Sequence, residues 1–285
     1  MKTDALKYQL MPISDPGEMS SSFLTNKCSI SFKKSGGGPP LVFFHGWIGN
    51  EDTFASCHAA FAQHYTVYRP AWPGYGSSTP LPNFSIEDLV EIGRQFILET
   101  GNAPVTLIGN CLGGVMAMEL IRLYPELVDK LVLIEMYDYM PWYLHLMRIP
   151  GLNAFLFNLL FKNTAGFRIL NRLMTVRVAR DGNGMRYMED AFHRTSVRTA
   201  IDFIKAVRNF EEKYRSLYFE RFRTDIPTLY VEGGRSFKPI SAFREKAYRY
   251  FGNLTVISMP ECLHLPSAEQ PERFSANVLQ HLLHP

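Results

Sequence analysis

Residues 109 to 114 read Gly-Asn-Cys-Leu-Gly-Gly, and they follow the apolar run Ala-Pro-Val-Thr-Leu-Ile at 103 to 108. A side chain set between two glycines at a strand-to-helix bend sits on a strained, exposed turn. Only small neighbours let strand and helix approach that closely, so this is how a chain presents a nucleophile. Cys111 occupies the position where serine is the common choice. Thiols in general ionise near pKa ~8.5, and lower beside an imidazole or at a helix N-terminus, so a thiolate needs less help from a base than a hydroxyl does. An acyl group parked on Cys111 would be a thioester, more reactive than an oxygen ester toward amines and other nucleophiles. That chemistry suits hydrolysis, acyl transfer, thioester exchange and the opening of activated lactones. The same bend aims the first amides of the following helix at the reacting centre, so the Leu112 N–H is a candidate donor to a developing oxyanion.

The elements that must hold this turn alternate along the chain. Cys28 to Lys34 and Leu41 to Gly46 read as two strands joined by a Gly/Pro turn, the second a continuous apolar run suited to a buried parallel position. Glu51 to His64 has helical periodicity, and Thr66 to Pro70 is a short strand. An amphipathic helix follows, starting at a capping box of Ser85 and Asp88 and stopping at Gly101. The strand before Cys111, a helix from Leu112 and a strand Lys130 to Met136 complete a βαβα order, which argues for a parallel sheet covered by helices on both faces. From 139 to 222 the pattern is helical and bulky; strand and helix then alternate again to the end. The expected architecture is an α/β core formed by 1–138 and 223–285, with 139–222 inserted as a helical cap.

At 285 residues, with 46% hydrophobic and 20% charged content, the chain has enough apolar material for one core plus an insertion. Cysteines 28, 57, 111 and 262 show no paired spacing and read as free thiols of a reducing compartment. The N-terminus lacks a basic-then-apolar leader and no window holds 18 consecutive apolar residues, so a cytoplasmic location without stable membrane insertion is expected. The net charge of +3 is unevenly distributed: residues 139–222 carry 14 Lys and Arg against 7 Asp and Glu, leaving the rest of the chain net negative. No nucleic-acid motif accompanies this basic segment. An anionic small molecule, an acidic carrier domain or an acidic membrane surface fits it, as does a merely solvated face.

Four motifs, in order, resemble the α/β-hydrolases, in the capped branch that includes haloalkane dehalogenases, epoxide hydrolases and many small esterases. They are His45-Gly46-Trp47 after one strand, Trp72-Pro73-Gly74-Tyr75-Gly76-Ser77-Ser78 after the next, the turn around Cys111, and Glu261-Cys262-Leu263-His264 near the end. Together they span roughly residues 28 to 285. The resemblance implies that His264 is the general base and that the Trp47 N–H is the second oxyanion donor. It also implies that His45 is structural, packing beside the oxyanion loop.

The third member departs from the family pattern. The usual acid position after the cap reads Glu232-Gly233-Gly234-Arg235-Ser236, with serine where the carboxylate should stand. Some family members place the acid instead at the end of the strand before the cap, where this chain offers Glu135; Asp138 and Glu232 are the alternatives. Dehalogenase activity does not carry over, because that chemistry needs an aspartate at position 111. Dienelactone hydrolases resemble the turn closely at Cys-Leu-Gly-Gly, and polyhydroxyalkanoate synthases also use cysteine there, but neither resembles the rest of the chain.

In the cap, Phe155, Phe157, Leu159, Leu160 and Phe161 are dense in apolar surface, and Trp142, Tyr143 and Met147 sit where family members line the pocket. The expected substrate is a small, largely apolar acyl group, free or carried as a coenzyme A or carrier-protein thioester, with Arg168, Arg172, Arg177, Arg180 and Arg186 available to its phosphates. No cofactor is called for. The leading expectation is a hydrolase of an ester, lactone or thioester. An acyltransferase is the alternative, and a non-catalytic ligand receptor on the same scaffold the lesser one.

Overall fold

In the computed structural model of the protein, residues 17–100, 103–137, 146–173 and 182–284 are described. Eight strands form one sheet: β1 (Met19–Leu24), β2 (Ser29–Gly36), β3 (Pro40–Phe44), β4 (Thr66–Pro70), β5 (Val105–Asn110), β6 (Val128–Ile134), β7 (Thr228–Gly233) and β8 (Leu254–Met259). Their spatial order is β1-β2-β4-β3-β5-β6-β7-β8, antiparallel across β1, β2 and β4 and parallel from there on. β5 and β7 are buried along their whole length, as a parallel strand covered on both faces must be. Their neighbour β6 shows how two cores arise from one strand. Leu131 and Leu133 pack on one face of the sheet and Val132 and Ile134 on the other, following the period of two.

Core helices α1 (His58–Ala62), α2 (Ile86–Glu99) and α3 (Leu112–Leu123) precede β6, and among the described residues four helices lie between β6 and β7. These are α4 (Leu152–Phe157), which runs into a π turn at Asn158–Lys162, then α5 (Thr164–Leu173), α6 (Asn183–Arg194) and α7 (Val197–Arg221). The chain ends with α8 (Lys238–Tyr250), α9 (Pro266–Glu269) and α10 (Pro271–Leu283). The capping box of α2 forms as the sequence indicates: Ser85 Oγ accepts from the Asp88 N–H, and the Asp88 carboxylate from the Ser85 N–H. Gly101, expected to stop α2, lies outside the described residues.

Two expectations of secondary structure need correction. The helix expected over Glu51 to His64 is mostly turn, and only His58–Ala62 is helical. The cause is local: Asn50 N–H donates to Thr53 Oγ1 at 2.9 Å and Asp52 N–H to Asn50 Oδ1 at 2.8 Å, and such side-chain bonds offer the backbone an alternative to the helical ladder. Strand β1 had no sequence signal, since Met-Ser-Ser-Ser-Phe-Leu lacks apolar alternation. It exists because β2 supplies a complete antiparallel register, from Met19 opposite Lys34 to Leu24 opposite Ser29.

The approach of α3 to the sheet is set by glycine. A Cβ on Gly113 would lie 2.1 Å from the Phe44 carbonyl oxygen, and one on Gly109 would lie 2.6 Å from Gly114 Cα. Backbone cannot yield as a flexible side chain can, so Gly113→Ala is expected to cost about 2–3 kcal/mol by overpacking. Urea unfolding of the two proteins checks this; equal stability would show that α3 can shift away from β3.

Candidate active site

β5 and β6 run in parallel register to the pair Asn110 and Ile134. The next residue on each strand is Cys111 or Glu135, and both have φ of 53°, a left-handed backbone that side chains other than glycine rarely adopt. Sheet pairing reaches one step into each turn. The Cys111 N–H donates to the Ile134 carbonyl at 2.8 Å, and the Glu135 N–H to the Val231 carbonyl at 3.0 Å. Thiol and carboxylate therefore leave the sheet at one level on adjacent strands, at the carboxyl end of a parallel sheet, where open α/β folds place their ligands.

His264 arrives from the loop after β8 and closes the gap. Its Nδ1 lies 2.9 Å from Glu135 Oε2. An ionised carboxylate only accepts, so Nδ1 carries the proton. Cys111 acts on the ring as well, and Nε2 is the nitrogen left to face it because Nδ1 is taken. The edges of Tyr137 and Phe237 meet the imidazole at centroid distances of 5.4 and 5.3 Å and hold its plane. Burial works against a charged imidazole here. The hydrogen bonds to Cys111 and Glu135, with the charges on both partners, outweigh it and push His264 up to about 10.

Glu135 is fully buried and accepts three hydrogen bonds. Besides His264, the Gly233 N–H donates to Oε1 at 2.5 Å and the Ser236 hydroxyl donates to Oε2. Ser236, which cannot itself orient a base, thus supports the carboxylate that does. Of the alternatives, Glu232 is engaged elsewhere, 2.7 Å from Arg244 Nη1; burial raises its carboxyl and the Arg244 charge opposes that rise. Asp138 lies outside the described residues.

Leu112 opens α3, so its N–H has no intrahelical acceptor and is free to meet an anion beside Cys111. The loop carrying Trp47 crosses directly above: a Cβ on Gly46 would be 2.9 Å from the Asn110 carbonyl oxygen and 3.0 Å from Cys111 Cβ. His45 pins that loop. Its Nδ1 bonds the Gly46 carbonyl at 2.8 Å while Nε2 accepts from the Trp72 N–H at 2.9 Å, and burial lowers it to about 4 despite the Gly46 bond, so it stays neutral. The Trp47 indole N–H reaches across to the Ala200 carbonyl on α7 at 3.1 Å. Its ring meets Phe157, Phe161 and Phe192 edge-on, which ties the loop carrying Trp47 to the inserted helices.

Cys111, Leu112, Trp47 and His264 face a cavity of about 280 Å³. Its walls are almost entirely apolar, drawn from Met147, Leu156, Leu160, Phe161, Phe167, Leu170, Met188, Phe192 and Ile204, with Phe237 and Leu265 near the histidine. Polar interruptions are few; one is Tyr187, whose hydroxyl donates to Thr53 Oγ1 at 2.9 Å and whose burial pushes it up to about 12. Met147 lines the cavity as the sequence suggested, whereas Trp142 and Tyr143 lie outside the described residues. Of the apolar cap residues singled out, Leu160 and Phe161 line the cavity, Phe157 packs behind Trp47, and Phe155 and Leu159 are exposed, as a helical period requires of positions on opposite faces. Among the arginines, Arg168 pairs with Glu189, Arg172 is exposed, Arg186 is engaged, and Arg177 and Arg180 lie outside the described residues. Tyr137, Phe237 and Tyr187 had no sequence signal as site residues, because each joins the site only through packing.

Residues 39–269 match the profile of the alpha/beta hydrolase fold family, and the chain belongs to that family. A Haemophilus influenzae protein named "Putative esterase/lipase" is 29% identical over 246 residues, 82% of this chain and 79% of its own length. The pimeloyl-[acyl-carrier protein] methyl ester esterase of Nitrosospira multiformis is 25% identical over 272 residues, 88% of this chain and 97% of its own. Among solved structures, the epoxide hydrolase of Vigna radiata superposes with a TM-score of 0.78 over 95% of this chain and 99% of that one, at 16% identity, a likeness of fold.

The raised His264 has a consequence for stability. A basic group shifted from 6.5 to about 10 stabilises the folded state fully below pH 6.5 and loses that contribution as the pH rises through about 10. The stability difference between wild type and His264→Gln should therefore be largest at pH 6 and shrink toward pH 10 in urea unfolding. A difference constant across that range would mean that the imidazole is not charged in the folded protein.

Proposed function

We propose that the chain is a cofactor-independent acyl-transfer hydrolase that cleaves an ester, lactone or thioester of a largely apolar acyl group through a thioester on Cys111. The observation that carries this reading is Cys111 and His264 opening together on an apolar cavity, with the His264 ring hydrogen-bonded to Glu135. The names of the esterase relatives support the ester class. Residues 139–222 act as a cap over a core of 1–138 and 223–285, and supply most of the acyl-binding wall.

In the first half-reaction the Cys111 thiolate attacks the acyl carbon, forming a C–S bond while the carbonyl electrons move to oxygen. The Leu112 and Trp47 amides receive that oxyanion. Collapse breaks the bond to the leaving oxygen or sulfur, which takes the proton from His264 Nε2. Acylation consumes the thiolate, and with it two of the influences that hold His264 high. The imidazole is thereby released to act as a base in the second half. It takes a proton from water as the water oxygen bonds to the acyl carbon, the C–S bond breaks, and the acid departs from a regenerated thiolate–imidazolium pair. Glu135 holds the ring in one tautomer throughout and acts as a positioning residue.

The alternative is transfer of the acyl group to an amine, alcohol or carbon nucleophile. The apolar cavity wall and the two aromatic edges on His264, which keep water scarce beside the thioester, favour it. Intact-protein mass spectrometry after incubation with a panel of activated acyl esters and thioesters tests both readings. An acyl adduct that requires Cys111 and decays in buffer alone is the expected result; decay only on addition of an amine or alcohol identifies a transferase. No adduct, with Cys111 still open to a thiol alkylator, overturns the catalytic reading in favour of a ligand receptor.

Ser236→Ala removes one donor to Glu135 and should slow acylation about tenfold, on the scale of ~1.5 kcal/mol for a hydrogen bond to a charged group, whereas Glu135→Gln should slow it further. Stopped-flow acylation rates check the order, and a Ser236→Ala protein as slow as Glu135→Gln would show that Ser236 does more than support the carboxylate.

A further inference from the structure

Helix α4 and the π turn after it are apolar on two faces. One face closes the active-site cavity through Leu156, Leu160 and Phe161. The other presents Leu152, Phe155 and Leu159, spaced at i, i+3 and i+7 and exposed to 37%, 61% and 46%. Helix α5 packs tightly on the π turn, since a Cβ on Gly166 would lie 2.1 Å from the Leu159 carbonyl oxygen, and it adds Ile169, one turn further on and 58% exposed. Ile149, just before α4, is 46% exposed. Scattered surface leucines need no explanation, but a ridge of large side chains on consecutive turns does.

The segment that builds this ridge carries charge of one sign. Residues 146–173 contain Arg148, Lys162, Arg168 and Arg172 and no aspartate or glutamate. Arg148 is paired with Glu212 and Arg168 with Glu189, and even with those two acids counted the surface stays net positive. Arg172, one helical turn beyond Ile169, is exposed on the same side of α5. An apolar strip flanked by cations and lying flat on the protein is the pattern of an interfacial helix, which sinks side chains into the acyl boundary while its cations meet anionic headgroups. An acidic protein partner would use the cations but has no evident use for five large apolar side chains. Among the described residues no helix is long and apolar enough to cross a membrane, so contact with a bilayer would be peripheral.

We propose that the outer face of α4 and α5, built on Ile149, Leu152, Phe155, Leu159 and Ile169 with Arg172 beside them, docks the protein on an anionic phospholipid bilayer. The helix that touches the bilayer on one side would then form the wall of the acyl cavity on the other, so an acyl substrate dissolved in the membrane has a short apolar path to Cys111. The docking itself does not depend on the chemistry of Cys111.

Flotation with large unilamellar vesicles tests the proposal. Full-length protein should float with vesicles of phosphatidylcholine and phosphatidylglycerol and not with phosphatidylcholine alone, and raising the salt should release it. The pair Phe155→Asp and Ile169→Asp should weaken partitioning at least tenfold, and Arg172→Glu should weaken it by a smaller factor. Phe155, Ile169 and Arg172 do not line the cavity, so turnover of a water-soluble short acyl ester should be unchanged in these variants. Absence of wild-type flotation, or undiminished flotation of the aspartate pair, overturns the proposal. So does a wild type that runs as a dimer which the same substitutions split, because the ridge would then be covered by a second copy of the chain.

Discussion

Glu135 is fully buried, and a carboxylate withdrawn from water is tolerated only when its lone pairs are taken up by donors. Three elements of the structure answer that demand: the end of β7 through the Gly233 amide, the turn after it through Ser236, and the loop after β8 through His264. Each bond also positions its donor. The same contacts that make the buried charge affordable bring the imidazole over the nucleophile strand and keep its proton on Nδ1. Ser236, just after β7, adds to this set as a hydrogen-bond donor to Glu135.

The two strained residues have a common origin. Cys111 and Glu135 both follow a parallel ladder that continues into their amides, and both then turn at the same φ. At Cys111 this lifts the thiol clear of the sheet. For Glu135 it turns the side chain toward the next strand in place of its own continuation. Glycine at 109 and 113 lets α3 sit close to the sheet beside Cys111, and the His45 ring, kept neutral by burial and held by two backbone groups, fixes the opposing loop. Trp47 links this rigid base to the inserted helices. Its backbone follows the loop that crosses above Cys111, its indole bonds α7, and its ring joins Phe157, Phe161 and Phe192 at the cavity wall.

Much of the fold could be read from patterns with a period. The buried parallel strands announced themselves as continuous apolar runs and α2 by its capping box, because those signals are local. Edge strand β1 and the turns from Glu51 to Cys57 could not be read that way. The first depends on a partner strand, the second on side-chain bonds that outcompete a helical pattern. In the site, Cys111, His264 and the Trp47 and Leu112 amides stood out because each falls inside a short motif. Tyr137, Tyr187 and Phe237 did not, since aromatic residues that buttress a ring or floor a cavity are chosen by packing and leave no spacing to recognise.

The amino-acid sequence by itself determined that a thiol stands on a glycine-flanked turn, that a histidine follows the last strand, and that the usual acid position holds a serine. Those are facts of residue type and order. Between the two candidate carboxylates among the described residues, only the tertiary structure decided which one meets the histidine. Glu135 and Glu232 lie at the ends of adjacent strands, and which reaches the imidazole depends on the direction each side chain takes as it leaves the sheet. The structure also divided the cap's apolar residues between cavity wall and outer ridge. The reason is the helical period: neighbours such as Phe155 and Leu156 have the same chemistry, and only their angle around the helix axis sends one to solvent and the other to the cavity.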